Sequence, residues 1–124
     1  MERIETTILR NLIYDEEFSR KVIPFIQLDY FEQRIERVIF EEISKFIVKY
    51  GSSITTEALA IQLEDRDDLN ETEIKESRDA VSLFTDDKVD NQWLVDTTEK
   101  WCRDRAIYLA CLLYTSDAAD DAWC

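Results

Sequence analysis

The sequence predicts an all-α fold, a compact helical bundle, on three observations. Hydrophobic residues make up 45% of the chain and recur three and four positions apart, the spacing that lines one side of a helix. Charged residues supply another 35% and fall between them, as on helices that turn one face to a core and the other to water. A single Gly and a single Pro leave too few turn formers for a sandwich of many short strands. The length, 124 residues, allows one core that buries roughly 65% of the surface of the unfolded chain.

Residues 3–14 place Ile4, Ile8, Leu9, Leu12 and Ile13 at the spacing of a helix with one buried face. Asp15 can accept a bond from the free amides that open a short second helix over 16–22. Pro24 ends that helix, because the residue before a proline is pushed out of the α region. A long helix follows within 29–51, with Ile35, Ile39, Ile43, Phe46, Ile47 and Tyr50 on one stripe and Glu36, Arg37, Glu41, Lys45 and Lys49 on the rest. Gly51 stands where a left-handed C-cap belongs. Thr55 or Thr56 caps a short helix that turns Leu59 and Leu63 inward, and EDRDDLN over 64–70 reads as a polar loop. Asn70, with Glu73 three residues on, forms a variant capping box that opens a helix through Ile74, Val81 and Phe84. TDDKVD breaks it, and the last helix starts after Asp90, carrying Trp93, Leu94, Thr97, Trp101, Ile107 and Tyr108.

Composition excludes most chemistry. Without His there is no Ser-His or Cys-His pair and no imidazole metal ligand, and one Gly cannot build a phosphate-cradling loop. The net charge of −13 repels a phosphate backbone, so any role in nucleic-acid metabolism is expected to be indirect. The aromatics Phe31, Phe40, Phe46, Trp93 and Trp101 recur at core spacing, with few basic residues among them to form a nucleic-acid groove. No apolar run approaches the roughly 18 residues of a membrane span, and the N-terminus lacks the marks of a signal peptide, so a cytoplasmic protein is expected. Three features resemble sites and read instead as structure. The adjacent carboxylates Glu16 and Glu17, Glu41 and Glu42, and Asp86 and Asp87 read as solvated, since neighbours on a helix diverge by about 100° and cannot easily share a proton or a metal. Asp65, Asp67 and Glu76 fall at calcium-loop positions, but Leu69 cannot ligate and Asn70 replaces the glycine of the turn, so no metal is expected. Cys102 has no base beside it and reads as a small buried or interface side chain.

The C-terminal stretch CLLYTSDAADDAWC differs from the rest, with no Lys or Arg and two of the three cysteines. Residues 111–121 resemble, position for position, one reading frame of a sequencing-library transposase adapter. This resemblance implies a natural sequence that ends near Ala110 and a non-native tail over 111–124, leaving Cys102 as the one natural cysteine and a chain still rich in acids.

The order of motifs over residues 5–64 resembles the N-terminal domain of DnaB-type replicative DNA helicases. The positions that carry it are Glu5, Leu12, Ile13, Asp15, Val22, Phe25, Ile26, Tyr30, Phe31, Ile39, Phe40, Thr56, Ala58, Leu59, Leu63 and Glu64. NQWLVDTTEKWCRDRA, residues 91–106, looks more narrowly like the helicase subunit of the T-even phage primase-helicase. The resemblance implies a helical bundle over 1–88 and the first arm of a truncated helical hairpin over 89–110. It further implies a collar domain that serves hexamer assembly and contacts primase and a helicase loader in the infected bacterial cell. ATP, magnesium and DNA would be handled by a motor domain outside this sequence, so no catalytic, cofactor or metal residue is assigned here. Leu94, Trp101 and Tyr108 are expected to form an exposed strip for homo-association. The alternative is a free-standing acidic helical adaptor that binds a host or phage protein.

Overall fold

A computed structural model describes residues 3–117, with side chains as far as Leu113. Six α-helices and two 3-10 turns make up the fold, and no strand occurs among the described residues. Helix α1, Ile4–Tyr14, is the centre of the molecule. It buries Thr7, Ile8, Leu9, Arg10, Asn11, Leu12 and Ile13 in unbroken succession, nearly two turns with every direction covered. The single buried face expected from the apolar spacing is therefore only part of its surface. α2 and α3 pack on it, and the segment before α6 reaches it through Arg10.

α2, Glu16–Val22, begins as expected at Asp15, whose Oδ1 accepts the Phe18 amide at 3.0 Å. It ends before Pro24, but Ile23 keeps helical angles because a 3-10 turn, Ile23–Phe25, takes up the chain and places Pro24 where an amide is not needed. A second such turn, Leu28–Tyr30, leads to α3, Arg34–Tyr50. Gly51 closes α3 at φ 71°, with its amide donating to Ile47 O at 2.8 Å.

The buried face of α3 is broader than the predicted stripe. Ile39 and Ile43 lie in the core as expected, but so do Val38, Phe40, Glu36 and Glu42, because α1 covers one side of the helix while α4 and α5 cover another. Tyr50, expected on that stripe, is exposed and packs its ring on Phe46 instead. α4, Thr56–Glu64, is capped by Thr55, which accepts the Ala58 amide, and it buries Leu59 and Leu63. α5, Glu71–Ser82, carries the capping box in full. The Glu73 amide donates to Asn70 Oδ1 at 2.8 Å, and the Asn70 amide to Glu73 Oε1 at 3.1 Å.

α6, Asn91–Asp117, is 27 residues and about 40 Å long, and it crosses Ala110 without a break. Its first half lies against α2 and the turn Leu28–Tyr30. Leu94, Thr98 and Trp101 belong to the core of the bundle, so bundle and helix root are packed as one unit. No helix among the described residues is long and apolar enough to cross a membrane.

Candidate interaction site

The last helix departs most from the expected strip, and its geometry begins with the connector. Arg10, buried in α1, donates from Nη1 to the carbonyls of Thr85 and Asp87 at 3.2 and 2.8 Å. Asn91 Nδ2 donates to Asp15 Oδ2 at 3.1 Å, so the start of α6 is tied to the cap of α2. Asp90 in turn accepts the Trp93 amide at 2.9 Å and opens the helix.

From that root, Leu94 is fully buried and Trp101 is 8% exposed. The indole lies 4.9 Å from the Phe31 ring and meets Tyr30 edge-on at 5.9 Å, while Phe31 also packs on Phe40. Leu94 and Trp101 are thus core residues of this chain and cannot form an exposed strip. The expectation fails because α2 and the turn Leu28–Tyr30 fold back over this face, which a helical period cannot reveal. Tyr108, 50% exposed, is the one member of the trio on the surface. Trp93 is also half-exposed, and Thr98 rather than Thr97 is the buried threonine.

Arg105 marks the end of the packed half. Its Nε donates to Tyr30 O at 2.6 Å, its Nη1 lies 3.2 Å from Glu32 Oε1, and its guanidinium sits 4.9 Å over the Tyr108 ring. Arg37, one turn into α3, donates to the carbonyls of Phe31 and Glu32 at 2.9 and 2.8 Å. Three consecutive carbonyls just before α3 are therefore satisfied by guanidinium groups from two helices. Beyond this anchor Ile107, Leu112 and Leu113 are exposed.

The remaining candidates resolve into structure. Glu16 and Glu17 pair with Arg20 and Lys21 one turn on. Glu41 and Glu42 converge on Arg66 Nη1 at 2.6 and 2.9 Å, and Glu42 is buried, which corrects the solvated face expected for that pair. The Arg66 guanidinium also holds Asp68, whose carboxyl is drawn down to about 2 chiefly by that hydrogen bond. Arg66 so engages the Asp68 carboxylate of the loop read as calcium-like, while Leu69 is buried and Asn70 serves α5. Among the described residues no three acidic, His or Cys side chains are grouped to hold a metal ion. Cys102 is half-buried and desolvation pushes its thiol up to about 11, so it is not a ready nucleophile.

Sequence reading missed Arg10 and Arg105, and it placed Glu36 on the polar side of α3 rather than in the core. Glu36 is buried beside Arg3, whose Nη1 reaches Glu36 Oε2 at 2.6 Å, and burial raises its carboxyl above the usual glutamate range. The only signal for each was a charged residue adjacent to the apolar stripe.

Comparison with known proteins gives one informative match. Over 103 residues, 83% of this chain, the sequence is 33% identical to the DnaB-like replicative helicase of Enterobacteria phage T4. The chain is similar to a phage replicative helicase. It spans 22% of the length of that relative. No protein-family model matches the chain. The described residues form helices and no strands, in keeping with the all-α expectation.

Proposed function

We propose that this chain is the N-terminal collar domain of a phage replicative DNA helicase, acting in hexamer assembly and in contact with primase and a helicase loader. The observation that carries this reading is the 33% identity sustained over 103 residues, 83% of the chain. The physical features are consistent with it. A net charge of −13 suits a domain that leaves the grip on DNA to other parts of the protein. A long helix rooted in the bundle, with Ile107 and Tyr108 exposed past Arg105, suits the first arm of a hairpin that pairs with a neighbouring subunit. ATP and magnesium are then handled by a motor domain encoded downstream, and the protein works in the cytoplasm of the infected cell.

The test is the gene itself, read from an independent clone. The collar reading expects residues 111–121 to be replaced by a different natural sequence that continues, after a linker, into G-x-x-x-x-G-K-[ST]. A stop codon soon after residue 110 overturns it in favour of the free-standing acidic adaptor. The same read tests the adapter origin of the tail, which fails if CLLYTSDAADD recurs in the clone.

A further inference from the structure

α2, the turn Ile23–Phe25 and the first half of α6 border a groove of about 430 Å³. Its walls are mainly apolar, formed by Val22, Phe25, Tyr30, Val95 and Cys102. Phe25 is 70% exposed, a large ring left in water on the lip of the groove just after Pro24. With its thiol held neutral by burial, Cys102 behaves there as a small apolar side chain.

Two further observations point to an occupant. Thr98 also lines the groove, and it is 1% exposed with a hydroxyl that has no hydrogen-bond partner. A helical threonine commonly satisfies itself on the carbonyl one turn back, so a buried hydroxyl left unpaired is a standing cost in this wall of the groove. The second observation is charge. Lys21 and Arg103 flank the groove against Glu99 alone, in a chain whose acids outnumber its bases 28 to 15. Their present partners, Glu17 at 3.3 Å and Glu99 at 3.5 Å, are exposed neighbours one turn away, pairs of small worth that another carboxylate can replace.

We propose that this groove docks an amphipathic helix of a partner protein, whose apolar anchors sit beside Phe25 and whose flanking carboxylates meet Lys21 and Arg103. A helix presents apolar side chains at successive turns with charges at the margins, which matches an apolar trough with basic lips. The assignment stands independently of the collar reading, since every group it uses lies within residues 17–106.

The experiment titrates the isotope-labelled chain with two synthetic peptides of about 15 residues, each with Leu at every third or fourth position. One carries Glu elsewhere and the other Lys. The Glu peptide is expected to shift the amide signals of Phe25, Val95 and Ala106 and to bind at least about tenfold more tightly than the Lys peptide. A Lys21→Glu, Arg103→Glu double variant, which changes only exposed side chains, reverses that order. Ala106→Trp, at an exposed position of the groove, weakens both peptides by occupying the trough. Equal binding of the two peptides, shifts confined to other surfaces, or no binding overturns the assignment. So does self-association of the chain that the double variant abolishes while neither peptide binds, because the occupant is then a second copy.

Discussion

Replacing Trp101 with alanine separates the two possible roles of the α6 stripe. If Trp101 faced a partner, its loss would weaken association and leave the folded chain intact. The structure instead places the indole in the core at 8% exposure, against Phe31 at 4.9 Å and Tyr30 at 5.9 Å. A buried aromatic truncated to Ala costs about 3–5 kcal/mol through lost transfer energy and the cavity left behind. The two ring pairs, worth about 0.5–1.5 kcal/mol each, place this site in the middle of that range. No hydrogen bond is forfeited, because Nε1 is buried without a partner. A loss of about 4 kcal/mol is a large part of the 5–15 kcal/mol that holds a small domain together. Urea unfolding followed by far-ultraviolet circular dichroism measures it, with Tyr108→Ala as the exposed control, expected within about 0.5 kcal/mol of the parent. Should Trp101→Ala be wholly unfolded, Trp101→Phe, which keeps an aromatic ring, is expected to lose about 1–2 kcal/mol. A Trp101→Ala chain within about 1 kcal/mol of the parent refutes the placement of the indole in the core.

Further consequences can be checked on the same preparation. Asn70→Ala removes the capping box of α5 and is expected to cost about 1 kcal/mol, with faster amide hydrogen exchange confined to the first turn of that helix. Gly51→Ala should cost about 1 kcal/mol by thermal unfolding, from backbone strain alone, since a Cβ there would meet nothing within 4 Å while φ is +71°. Glu36 has its carboxyl raised first by burial, with Arg3 opposing, so the folded state holds the proton more tightly than the unfolded chain. Its stabilising contribution is present below the unfolded value of about 4.3 and is lost as pH rises through the raised folded value. The stability of the parent minus that of Glu36→Gln should therefore grow as pH falls through this window. Paired urea titrations showing a constant or shrinking difference would contradict it.

The elements whose signals are local were legible before the fold. Asp15, Thr55, Asn70 with Glu73, and Gly51 act at the positions read for them, because a cap is satisfied within three or four residues of itself. Leu59, Leu63, Ile39 and Ile43 point inward for the same kind of reason, a period that one helix defines alone. The candidate site was much less legible. Leu94 and Trp101 were recognisable as apolar and helical, but whether they met this chain or another depended on where residues 22–31 folded. The partners of Arg10, Arg105 and Glu36 were hidden, because they stand 75 to 77, 75 and 33 residues away.

By itself, then, the sequence determined that this chain is helical, acidic and without histidine, and it determined where most helices begin and end. The reason is that helix period, caps and formal charge are properties of neighbouring residues or of simple counts. Tertiary structure alone decided that α1 is buried all round and that the root of α6 belongs to the core. It also decided that a groove with basic lips opens beside Phe25. Burial and groove shape are set by which faces of distant segments meet, and the contacts that choose among those meetings join residues far apart along the chain.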